Sequence, residues 1–426
     1  MRFFSILLIA MPLFAADSKT PEVKERIKAA KELSKQGSSS LTTLSTMILD
    51  AEPSVRGEAV KSIVAIGTQH SLDPLLRSIE DGDPEIQIRA IEGLVNFYVP
   101  GYVQTGIAAT LKRTGDKVIG KFTDKNDQVI PAYVTPRQEV ITALGKQIGE
   151  AKNMTVRATA ARAVGTLRGK SAIDPLMLAL RSKDDSLMYE SVVAIEKIRE
   201  PKSAGALIFL FRDPNERIQV AALEAAGLLL NKEVVPQLEE TMERALTVKA
   251  RRAALGALGQ LALPSSRSQF ERYLEDKDDG VRAAAAEGLG RLKNPADAQR
   301  MDALFNTEKK MPARMAQAFA VAAIGNMQYK EFSALKYLMD SLASKAWGGV
   351  AEAYVTELAR LAEVREIIYQ VMTMGPKDEK IRLSRVLSIS GDKGTVDKLE
   401  VLTRDGDADV AQQALRSLRA LKARVL

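Results

Sequence analysis

The chain has 426 residues, with 61 Lys and Arg against 54 Asp and Glu for a formal net charge of +7, and it is 46% hydrophobic and 27% charged. That balance excludes a disordered chain and provides for a large folded core. Basic and acidic residues are interspersed, which disfavours a nucleic-acid footprint, and the absence of cysteine excludes disulfide staples and thiolate metal sites.

The first 16 residues have one basic side chain, Arg2, an apolar run over 3–10, Pro12, and the ending Phe14-Ala15-Ala16. This is the pattern of a cleaved secretory signal peptide, although Leu13 stands where a small residue is preferred for a cut after Ala15. About 12 apolar residues are too few for a membrane span, which needs about 20. The expected location is therefore periplasmic or secreted. In 17–40, Thr20-Pro21-Glu22 offers a capped helix start, Val23, Ile27, Ala30 and Leu33 share one face, and Gly37 with the serines that follow ends the helix.

Over 41–96 a repeat is visible. Glu52-Pro53-Ser54-Val55-Arg56 aligns with Asp83-Pro84-Glu85-Ile86 at a spacing of 31, and Asp73-Pro74-Leu75-Leu76 matches Asp174-Pro175-Leu176-Met177. The pattern breaks over 97–136. Alternating runs at 117–122 and 129–134 flank a polar loop and predict a small β-hairpin, with Pro131 counting against the second strand. Phe97, Tyr98, Tyr102, Phe122 and Tyr133 fall in this insertion. Solenoids carry insertions on one face, often the binding face, so these aromatics are candidate partner-binding residues. The alternative is that they pack on the adjacent repeat.

The repeat is strongest over 137–325. An apolar or small residue stands nine positions before a slot in Val156/Gly165, Leu187/Glu196, Ile218/Gly227, Ala250/Gly259, Val281/Gly290 and Ala316/Gly325, with successive slots 31, 31, 32, 31 and 35 residues apart. Val281, Ala285 and Leu289 lie at i, i+4 and i+8, one narrow helix face. Glycine at the slot is expected to stop this second helix of each unit. A shorter amphipathic run, such as 173–180, then leads to an Asp or Asn step. One such helix pair cannot bury its apolar stripe alone, so neighbours must stack. The pattern decays over 326–426 but returns in 381–391 and 410–418. The last helix ends on Arg416, Arg419, Lys422 and Arg424, a basic end that suits the helix dipole.

The Val-Arg-x-x-Ala-Ala of 281–286, with Val156-Arg157 opening the first strong copy, resembles the short HEAT-like repeats of the phycobilin-lyase type. The resemblance covers roughly 41–426 apart from the insertion. It implies an all-α fold, a right-handed α-α superhelix (HEAT/ARM-like solenoid), to which the alternating runs add one small β-hairpin insertion. Proteins with similar repeats serve as pigment lyases, as a di-iron hydroxylase, as DNA glycosylases and as interaction scaffolds. The hydroxylase's repeated His-Glu pairs are absent, since the single histidine, His70, is followed by Ser71 in a turn. Acids recurring at unit boundaries are more simply helix caps or inter-repeat ion pairs than a metal site. No phosphate loop or nucleophile elbow is present. The expected function is thus a non-enzymatic exported scaffold without a cofactor, binding a protein or peptide and not nucleic acid. The alternative is a lyase-type or chromophore-handling protein.

Overall fold

A computed structural model describes residues 20–103, 128–131 and 133–426. The chain divides into two compact units at residue 118, and every regular element among the described residues is helical. No helix there is long and apolar enough to cross a membrane.

The first unit opens with the helix Pro21–Leu33, whose start is capped as the sequence indicates: Thr20 Oγ1 accepts from the Val23 N–H at 3.4 Å. A 3-10 turn, Ser34–Ser40, carries Gly37 at φ 67° and ends it. Short and long helices then alternate: Leu41–Met47 and Pro53–Ile66, then Leu72–Ser78 and Pro84–Tyr98. Buried Ser62 in the second long helix donates to the Ala30 carbonyl at 2.8 Å and ties it to the first helix.

From Gln138 to Val425 the second unit repeats the same alternation. Its long helices include Met154–Thr166, Asp185–Ile198, Glu216–Leu228, Val248–Leu261, Asp279–Leu292 and Met311–Ile324, each packed on the next. The divergent end continues the stack through Gly348–Leu358, Lys377–Ser390 and Ala408–Val425. Val281, Ala285 and Leu289 are fully buried, as the spacing predicts, but Ala286 is too, and Ala283 and Ala284 are nearly so. A long helix held between two others is apolar nearly all round, so its buried surface is wider than the narrow stripe.

The slot glycine corrects the sequence reading. Gly165, Gly227, Gly259 and Gly290 lie inside their helices, and none has positive φ. A Cβ on Gly165 would stand 2.7 Å from Ala194 Cα, on Gly227 2.6 Å from Ala257 Cα, and on Gly290 2.7 Å from Ala320 Cα. Glycine is there because the backbone of the next long helix passes where a side chain would be. The left-handed turn that ends the helix falls three residues later, on Arg168, Arg199, Leu230, Ala262 and Lys293, with φ between 47° and 56°. Only Gly325 combines a slot with positive φ, at 130°.

The Val-Arg signature has a mechanical role. The residue after the apolar one reaches back to carbonyls at the end of the preceding segment: Arg157 Nε donates to Ile148 O at 2.6 Å, Gln219 Nε2 to Phe211 O at 2.7 Å, and Arg282 Nη1 to Asp276 O at 2.8 Å. These are otherwise unpaired helix-end carbonyls. Arg282 also grips Glu308 of the following repeat at 2.8 and 3.1 Å. The boundary acids and amides are N-caps, as expected: Asp184 accepts from Leu187 N at 2.8 Å, Asn215 from Arg217 N at 3.0 Å, and Asp278 from Val281 N at 2.9 Å.

The expected hairpin is not found. Its first strand, 117–122, lies outside the described residues, and the second run, 129–134, contains no strand among the residues described. Ile130 is buried and donates its N–H to Thr166 O at 2.9 Å, and the Val134 N–H closes a turn on Pro131 O at 3.0 Å. The apolar alternation reflects one side chain anchored on a helix end, and its amide bonds that helix instead of a partner strand.

Candidate functional site

A groove of about 410 Å³ runs over the long helices of the second unit. Glu196, Glu224, Arg252 and Glu287 line it from four successive long helices, and Trp347 and Tyr354 close one end. The first three recur every 28 residues. Because 28 is about one helical turn less than the 31-residue repeat, the row runs diagonally across the stack.

The floor of the groove is an ion network that joins helices two repeats apart. Arg291, with its side chain only 10% exposed, donates to both oxygens of Glu357 at 3.0 to 3.2 Å and to Glu287 at 3.0 Å. Tyr354 Oη donates to the other Glu287 oxygen at 2.6 Å. Phe319 lies between them, stacked on Tyr354 at 5.0 Å with the Arg291 guanidinium 5.3 Å from its ring. Burial, reinforced by the negative Glu287, pushes the Tyr354 hydroxyl well above its ordinary range. Every partner is satisfied, which makes this a rigid support for the groove wall.

The carboxylates at the other end differ. Burial and the repulsion of Glu196 push Glu224 up, with Arg252 opposing them. Arg252 is itself hydrogen-bonded to Asp278 at 3.1 Å and lies over Gly280, where a Cβ would come within 2.2 Å of its Nε.

The aromatics singled out by the sequence are not at this groove. Phe97 and Tyr98 end the helix Pro84–Tyr98 in an edge-to-face pair 4.9 Å apart, with Tyr98 buried, and Tyr102 is half-buried just beyond. Tyr133 belongs to the second unit and is 45% exposed, and Phe122 lies outside the described residues. His70 sits exposed in the 3-10 turn Gln69–Ser71, the place the sequence assigns it. At the C-terminal end, Lys422 pairs with Glu400 at 2.7 Å and Arg424 with the Gly391 carbonyl. Sequence reasoning missed the groove because it followed positions conserving one residue type, whereas the diagonal places Glu, Glu and Arg in one row. The recurring 28-residue step between charged residues is the signal that locates it.

HEAT repeats match residues 11–96, 141–227 and 235–322. Among solved structures, importin beta is 14% identical, with 94% of this chain and 61% of that one covered and a TM-score of 0.47. The complex of CpcE and CpcF of phycocyanin lyase from Nostoc sp. PCC7120 is 17% identical, with 64% of this chain and 94% of that one covered and a TM-score of 0.37. No curated protein matches this sequence. The matched segments cover more than half of the chain, so the chain belongs to the HEAT-repeat family.

Proposed function

We propose that this protein is a non-enzymatic, exported scaffold that holds a protein or peptide partner in the groove of its second unit. The observation that carries this reading is the groove itself: an aromatic and aliphatic wall of Trp347, Val350 and Leu228 beside the charged side chains Glu196, Glu224, Arg252 and Glu287. Stacked helices set that wall in place before binding, so little conformational freedom is lost on association. Large aromatics at the centre of a concave site supply most of the binding free energy of such surfaces. The signal-peptide pattern of 1–16, Arg2 followed by an apolar run and Phe14-Ala15-Ala16, supports a location outside the cytoplasm, and the exposed Tyr133 offers a second contact.

The test is site-specific photo-crosslinking in the organism that makes the protein. A photoreactive amino acid at Val350, in the groove, is expected to give one discrete adduct. The same residue at Leu246, which is fully exposed and outside the groove, is expected to give none. Equal labelling from both positions, or adducts only from Tyr102 or Tyr133, would overturn the assignment of the groove.

A further inference from the structure

The helices Met154–Thr166 and Asp185–Ile198 pack side by side with Gly165 against Ala194, each near its C-terminal end, so the turns that follow them share one edge of the stack. Those two turns carry Arg168 and Lys170, then Arg199 and Lys202, against one acid, Glu200. All four cations are exposed, and none of them makes a side-chain hydrogen bond or ion pair among the described residues. Elsewhere in this unit, arginines that reach another repeat find a carboxylate: Arg162 holds Glu190, Arg267 holds Asp297 and Arg282 holds Glu308. Later turns do not repeat the patch, since Lys232 is followed by Glu233 and 262–266 is uncharged.

Burial and the positive Arg199 both push the Arg168 guanidinium down, and no carboxylate opposes them. The carbonyl end of a helix favours a cation, which accounts for a charge at each turn but leaves the N–H forks unused. The turn itself does not require arginine, because Leu230 and Ala262 hold the same left-handed conformation at φ 54° and 47°. This edge already carries a piece of irregular chain. Ile130 donates its N–H to Thr166 O at 2.9 Å, and Lys197 Nζ donates to Gln128 O at 3.2 Å, so the chain of 128–130 bridges the ends of the two helices. Two residues beyond each of those contacts, Arg168 and Arg199 stay exposed.

We propose that this edge is a docking surface, separate from the groove, for an acidic, extended segment of a partner protein. Arg168 and Arg199 each take one carboxylate in a two-pronged fork, and Lys170 and Lys202 add to the attraction. Packed helices lie about 8–10 Å apart and extended chain advances about 3.3 Å per residue, so the two acids of the segment stand about three residues apart. The patch spans two turns and has no aromatic side chain in 167–172 or 197–203 on which a base could stack, which favours carboxylates over a nucleic acid. None of the four cations lines the groove.

The test is fluorescence anisotropy of a labelled, amidated peptide with Glu at every third position among Ser and Ala, titrated with the full-length protein at low salt. The Glu peptide is expected to bind saturably, with affinity falling as salt rises, and its twin carrying Gln for every Glu is expected not to bind. Arg168→Gln with Arg199→Gln should weaken binding at least about fivefold. Arg168→Lys with Arg199→Lys keeps both charges but loses the forks, and should weaken it about twofold. Arg416→Gln with Arg419→Gln removes the same charge at exposed positions outside the patch and should leave affinity unchanged. Since the turn tolerates other residues, the variants fold, and circular dichroism verifies it. Binding of the Gln twin, undiminished affinity in the Arg168 and Arg199 double Gln variant, or an equal loss in the control pair would overturn the proposal. So would an oligonucleotide or an anionic vesicle that binds more tightly than the Glu peptide and is lost in the same variant, because the occupant is then not a protein. The Val350 crosslink tests the groove and is untouched by any of these results.

Discussion

Replacing Gly227 by Ala inserts a single methyl into the tightest point between two long helices. That Cβ would lie 2.6 Å from Ala257 Cα and 3.0 Å from its Cβ, whereas carbon atoms are comfortable at about 3.5–4.0 Å. The helices Glu216–Leu228 and Val248–Leu261 must therefore part by roughly 1 Å, and the obstacle is backbone that cannot rotate aside. Overpacking of this kind costs about 3 kcal/mol at the upper end of its range, while exchanging Gly for Ala inside a helix returns about 1 kcal/mol. The net expectation is a loss of about 2 kcal/mol. Gly256→Ala is the control, since it also lies within Val248–Leu261 but a Cβ there meets nothing within 4 Å. It should stabilise by about 1 kcal/mol. Hydrogen exchange resolved by helix is the assay, because a stacked array opens locally as well as globally. Exchange in the two helices should speed up in Gly227→Ala and slow down in Gly256→Ala. Gly165 and Gly290 should follow Gly227, and Gly259, whose Cβ would meet Gly288 at 3.3 Å, should be milder. If Gly227→Ala stabilised the protein as Gly256→Ala does, the close-approach account of the slot would be refuted.

Leu230 occupies a left-handed turn at φ 54° and is 62% exposed, so Leu230→Gly should stabilise by about 0.5–1 kcal/mol in urea unfolding. Tyr354 is buried and its hydroxyl is held above the usual tyrosine range. The unfolded chain releases that proton first, so the contribution is complete below about pH 10 and falls by about 1.4 kcal/mol per unit as pH rises further. Tyr354→Phe should flatten this alkaline loss in denaturant unfolding at pH 8 and pH 11, and an unchanged slope would count against it. Tyr98→Ala should cost about 2–4 kcal/mol by emptying a buried site, while Tyr133→Ala should leave the melting temperature nearly unchanged; the reverse order would show that Tyr133 packs and Tyr98 does not. N-terminal sequencing of the exported protein should read from near Ala16, and an uncleaved cytoplasmic chain would contradict the signal peptide.

The family and the helix pairing were legible in the sequence because each repeat writes its own requirements locally. Asp278 caps the helix it precedes, Val281, Ala285 and Leu289 mark a buried face, and stacking multiplies the signal at a spacing close to 31. The slot glycine was visible but not its purpose, because a helix stop and a close helix crossing both select for the absence of a Cβ. Only the position of Ala257 against Gly227 separates them. The alternation at 129–134 had the period of a strand, but a period cannot say where an amide will find its acceptor, and Ile130 found Thr166. The sequence holds the 28-residue step of Glu196, Glu224 and Arg252, but tertiary structure decided that this row lines a groove. Its carboxylates are adjacent because successive helices are offset by about one turn, and its floor joins Glu287 to Tyr354 across 67 residues. Such contacts depend on how one repeat is rotated against the next. That rotation is set by small side chains packing across the whole stack, so no single segment of the sequence contains it.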